Sequence, residues 1–251
     1  MKRHLRIFAI ALLALPLIGA KFWESKNYKE WSEKECLDLL AKSPWCFTNS
    51  FGQLDRIGMS SANIPGSTQS GQAGETASGP TWGERESIIT FDFRLMSAKP
   101  VRAALARLQM IKNPDVPGIE ERIDQYVNSD PGNEIVFQVI FSVKPKGDSS
   151  AHDILEFLRR AALADFHGTT YLASDRSVPL TAYIPPSERN PNPAFVFSRV
   201  DPEGKPYFTG QEKSISLRSA LKINTKGKLR QFDIFFQMKP KDMKFQERFE
   251  M

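Results

Sequence analysis

Between Ile89 and Leu95, apolar residues alternate with Thr90, Asp92 and Arg94, the two-residue period of a half-buried strand. Ile135, Phe137, Val139, Phe141 and Val143 repeat the pattern, and Val136 and Ile140 on the opposite face predict a central strand covered on both sides. Between these two strands the period lengthens. Val101, Leu105 and Leu108 fall at helical spacing behind Pro100, which suits a first helical turn, and Ile119, Ile123 and Val127 mark a second, shorter helix. A third helix is predicted from Ser149 or Ser150, with Ile154, Leu155, Leu158 and Ala162 inward. Beyond His167 strand signals dominate, at 169–173, 178–184, 194–200, 215–223 and 229–238, with Pro- and Gly-containing turns between them. Early helices and late strands predict an α+β domain over 86–251, a largely antiparallel sheet packed by helices. The β–α–α–β order at its start leaves a parallel pair open.

Upstream, residues 21–57 read as a separate N-terminal helical segment rich in aromatic residues. Ser32 and Glu35 fit a capping box, with Trp31 placed to staple against Cys36. Leu37, Leu39 and Leu40 continue the helix, which Pro44 ends by pushing Ser43 into extended geometry. Trp23, Tyr28, Trp31 and Trp45, with Phe22, Phe47 and Phe51, are more aromatic surface than so short a segment buries alone. They imply either docking on the main domain or binding to a partner protein or membrane interface. Residues 58–85, rich in Gly and Ser, read as a flexible linker.

Residues 1–20 have the layout of a cleavable export signal. Lys2, Arg3, His4 and Arg6 precede an apolar run from Ile7 to Ile18, which closes on Gly19-Ala20. The run is short for a hydrocarbon core of about 30 Å, which takes about 20 residues, and an uncleaved anchor is the lesser alternative. Lys21 stands where a lipoprotein would carry Cys. Export to the periplasm or the exterior is therefore expected. Cleavage would remove three of the five net positive charges, leaving 31 basic against 29 acidic side chains. Such balance gives no electrostatic reason to expect a nucleic-acid partner.

Candidate chemistry is sparse. His152 and Glu156 share a face of the third helix and His167 follows it, but no zinc-type spacing accompanies them and a solvated surface is the simpler reading. No G-x-S-x-G elbow occurs, so neither a catalytic nor a metal site is assigned, and no cofactor is implied. Cys36 and Cys46 lack the C-x-x-C spacing of a reactive pair. Two readings stay open for them, a candidate structural disulfide or two buried free thiols. Lys226, Lys228 and Arg230 surround a predicted hairpin turn at Gly227 and need only solvent.

Several short blocks occur in a set order. They are Tyr28-x-x-Trp31-Ser32 with Ser43-Pro44-Trp45, Ser97-Ala98-x-Pro100-Val101-Arg102-x-Ala104-Leu105-x-Arg107, Phe195-x-Phe197-x-Arg199, and Lys241-Asp242-Met243 with Phe249-Glu250. Together they resemble an uncharacterised family of exported bacterial proteins with a signal, a Trp-rich helix, a variable linker and an α/β or α+β domain. The resemblance implies no activity. Arg102, Arg107 and Arg199 lie in its blocks and are expected to be structural, beside carboxylates. The function expected overall is non-catalytic binding of another macromolecule in the cell envelope or outside the cell. The alternative is an exported hydrolase, which would require His152 or His167 beside a hydroxyl and a carboxylate.

Overall fold

A computed structural model describes residues 21–52 and 87–251. The predicted export signal and linker therefore fall outside the described residues, apart from the linker's neighbours at either side. The strands are β1 (Cys46–Phe51), β2 (Ile88–Leu95), β3 (Glu134–Lys144), β4 (Tyr171–Ala173), β5 (Ser177–Ile184), β6 (Ala194–Ser198), β7 (Ile215–Thr225) and β8 (Lys228–Met238). They form one sheet in the order β1-β2-β3-β6-β5-β4-β7-β8, and every pairing is antiparallel. The α+β expectation is met, and the parallel pair left open by the β–α–α–β order is absent. β2 and β3 are direct neighbours, so their connecting helices return the chain to the same end of the sheet.

The sheet curls until its two outer strands face each other. Phe47 meets Phe236 at 5.1 Å between ring centroids and Phe51 meets Phe232 at 5.2 Å, the register of an antiparallel pair. Backbone pairing does not cross this seam, since β1 pairs with β2 and β8 with β7. A nearly closed barrel results, filled by aromatic side chains. Its helices are α3 (Lys99–Lys112) and α4 (Ile119–Asn128) at the base, and α5 (Ser150–Arg160) and α6 (Leu163–Phe166) on the way from β3 to β4. Phe166 enters the core against Tyr183 and Phe195, at 4.6 and 5.0 Å. β3 is central, but Val136 and Ile140 remain half-exposed on the convex face. That face is only partly shielded, which corrects the expectation of full cover on both sides.

The largest correction concerns the expected helical segment 21–57, of which residues 21–52 are described. These are not a separate helical unit. After α1 (Phe22–Ser25) and α2 (Glu33–Lys42), residues Cys46–Phe51 form β1 and pair with β2 along their whole length. α2 begins with the expected capping box on Ser32 and Glu35, and Ser43 is extended as Pro44 requires. Lys26 and Ser32 hydrogen-bond the Glu35 carboxylate and hold its pKa down to about 2. Trp31 and Trp45 are fully buried, in a chain of edge-on contacts with Phe22, Trp23 and Phe245. Their apolar area is what ties the segment to the sheet.

Residues 239–251 form a strap across the base. A short hairpin, β9 (Lys244–Phe245) and β10 (Arg248–Phe249), buries Met243 and Phe245. Gly210 has φ +86°, and a Cβ there would lie 2.8 Å from Phe249 Cγ, so the strap's seat requires glycine.

Candidate functional site

His152 and His167 are both exposed, and neither imidazole makes a hydrogen bond or ion pair among the described residues. Glu156 turns instead to Arg160 and Arg159, at 2.9 and 3.4 Å. Among the described residues no group of three or more His, Cys, Asp or Glu is placed to hold a metal ion. Cys36 and Cys46 are buried free thiols, the second of the two readings left open for them. Burial raises both thiol pKa values to about 11, which leaves little thiolate at neutral pH.

Arg102, Arg107 and Arg199 all bond backbone carbonyls, and Arg199 also lies within electrostatic range of the Glu250 and Asp130 carboxylates. Arg102 Nη1 donates to Ser129 O at 2.7 Å, satisfying the end of α4. Arg107 Nε donates to Trp31 O at 2.8 Å, and Arg199 Nη2 to Glu134 O at 3.1 Å. Lys226 is also engaged, correcting the solvated-turn expectation at that residue. Lys226 and Gly227 both have positive φ, the two-residue hairpin geometry. The Lys226 ammonium folds back to Asp148 at 2.8 Å and Ser87 at 3.0 Å. Burial alone would raise the Asp148 pKa. Hydrogen bonds from Lys226, Ser87 and the Ser150 backbone outweigh it and hold the carboxyl well below the usual range.

The Lys226 clamp borders an open pocket of about 530 Å³. α5 supplies Asp153, Glu156, Phe157 and Arg160, α6 supplies Asp165, and Asn224 and Gly227 come from the β7–β8 turn. Helical geometry puts Asp153, Glu156 and Phe157 on one side of α5, while Ile154 and Leu158 turn into the core. Asp153 Oδ2 accepts from Lys226 N at 2.8 Å, and Asp165 Oδ2 accepts from Ala162 N at 2.7 Å. The other oxygen of each carboxylate accepts no hydrogen bond among the described residues. Glu156 is paired to Arg160, whereas Asp153 and Asp165 form no ion pair among the described residues, and Phe157 and Ala161 add an apolar part to the lining.

On the opposite flank of α5 lies a second pocket of about 500 Å³, lined by Leu155, Arg159, Pro186, Ser187, Glu188 and Pro191. Its proline-rich wall is held in a turn in which Ser187 N donates to Asn190 O at 2.7 Å. Sequence reasoning missed both pockets, because neither is contiguous in the chain. The available signal was the clustering of Asp153, Glu156 and Arg160 around Phe157 on one helical face.

No protein-family model, curated protein or solved structure matches the chain. Among the described residues no helix is long and apolar enough to cross a membrane.

Proposed function

We propose that this is an exported, non-catalytic protein that binds another protein of the envelope or exterior through the α5 face. Export rests on the composition of residues 1–20. Binding rests chiefly on the α5 pocket, where the free oxygens of Asp153 and Asp165 flank Phe157 and Ala161. A lysine or arginine side chain suits such a site, its stem lying against the apolar part of the lining and its charge meeting the carboxylates. The neighbouring proline-walled pocket extends the surface that a partner segment would cover.

Binding is favoured over hydrolysis by the isolation of His152 and His167, neither of which is paired with a hydroxyl or a carboxylate. Fluorescence anisotropy with labelled basic, neutral and acidic decapeptides tests the reading. Basic peptides are expected to bind preferentially, about tenfold more weakly to Asp153→Asn/Asp165→Asn, and more weakly in high salt. Equal binding of all three peptide classes would refute it.

A further inference from the structure

The β7–β8 hairpin leaves one large apolar side chain in water. Leu229 is 73% exposed, more than any other large apolar residue among those described. A lone exposed leucine is ordinary on a protein surface, so its position decides what it can do. Leu229 is the direct antiparallel partner of Asn224, and such partners project from the same face with Cβ atoms about 5 Å apart. Asn224 lines the α5 pocket, which puts the leucine at the pocket's rim.

Two further exposed apolar side chains belong to segments that reach the same corner. Leu163 stands two residues before Asp165 in α6, and Ile88 follows Ser87, whose hydroxyl lies 3.0 Å from Lys226 Nζ. The hairpin tip itself is pinned, Lys226 N donating to Asp153 Oδ2 and Lys226 Nζ to Asp148 Oδ2, each at 2.8 Å. A partner that covers Leu229 therefore meets a fixed surface and loses little free energy in ordering it. An anionic lipid surface suits this corner poorly, because the Asp153 and Asp165 carboxylates repel it. A cationic polypeptide complements the same charges.

We propose, resting on the basic-segment reading of the α5 face, that Leu229 is a specificity-determining residue of that face. The recognised protein segment carries a large apolar side chain within two residues of the basic one that enters the pocket. In an extended segment, side chains two residues apart share a face at a spacing of about 7 Å. One then meets the carboxylates while the other covers Leu229.

A matched pair of labelled basic decapeptides tests it by fluorescence anisotropy, one with leucine two residues from its central lysine and one with serine in that place. The wild type should bind the leucine peptide about fivefold more tightly, the scale of one partly buried apolar side chain. Leu229→Ser should abolish that preference and leave the affinity for the serine peptide unchanged, whereas Leu229→Met should keep the preference. Equal affinity of the wild type for the two peptides, or a preference that survives in Leu229→Ser, would overturn the proposal and leave the basic-segment reading standing. Binding of neither peptide would remove both together. Binding to vesicles of anionic or zwitterionic phospholipid that is lost in Leu229→Ser would also overturn it, by assigning the leucine to a membrane.

Discussion

Replacing Trp31 by Ala separates a docked segment from an integral one. Trp31 is fully buried, packs edge-on against Phe22 and Phe245 at 5.4 and 6.3 Å, and receives Arg107 Nε on its carbonyl at 2.8 Å. Truncating a large buried aromatic costs about 3–5 kcal/mol, of which each edge-on pair supplies about 0.5–1.5. Arg107 bonds the backbone, so that contact survives. We therefore expect a loss of about 4 kcal/mol, a large share of the roughly 5–15 that a domain has. With a urea slope of about 2 kcal/mol/M, the midpoint should fall by about 2 M, the same by far-UV circular dichroism and by fluorescence. Leu37→Ala, on the exposed side of α2, should change stability by less than about 0.5 kcal/mol. A Trp31→Ala midpoint for the sheet within about 0.3 M of wild type would refute the integration of residues 21–52 into the fold.

Two further outcomes follow from buried polar groups. Native protein should resist alkylation at both Cys36 and Cys46 at pH 8, whereas unfolding without reductant should expose two reactive thiols by mass spectrometry; a product lighter by two hydrogens would contradict the free-thiol state. Asp148→Asn should cost on the order of 1 kcal/mol at pH 7, since the charged hydrogen bond is discounted for the half-exposed Lys226. Asp148 has a folded pKa below its unfolded one, so its contribution is present above the ordinary carboxylate range of about 4. It is lost progressively as pH falls from that range through the lower folded pKa, so the gap between the two proteins' urea midpoints should narrow steadily below about pH 4; a gap that stays constant there would reject the linkage.

Most elements could be read from periodicity because the barrel buries one face of each strand. β2 and β7 alternate cleanly along their length, and β8 does so from Phe232 onward. β1 escaped because its inward residues are Phe47, Asn49 and Phe51: two aromatics four apart suit a helix equally well, and the buried amide between them breaks the apolar series. β3 misled in another way, since Val136 and Ile140 suggested a second covering layer where the convex face is only partly shielded. The α5 pocket depends on tertiary approach of α5, α6 and the β7–β8 turn, which no local pattern encodes. The short blocks quoted from the sequence became interpretable only in three dimensions. Trp45, Lys99 and Glu250 meet through direct hydrogen bonds at the base, with Arg199 within electrostatic range of Glu250.

Site-specific photo-crosslinking in the producing cell tests the α5 face most directly. A photoreactive residue placed at Arg160 or Glu188, which line the two pockets, should yield discrete protein adducts. The same probe at exposed Lys34 or Thr48, away from both pockets, should yield none. The adducts at Arg160 should disappear in the Asp153→Asn/Asp165→Asn background. Adducts only from Lys34 or Thr48, or adducts at Arg160 that ignore the two aspartates, would contradict binding through this face.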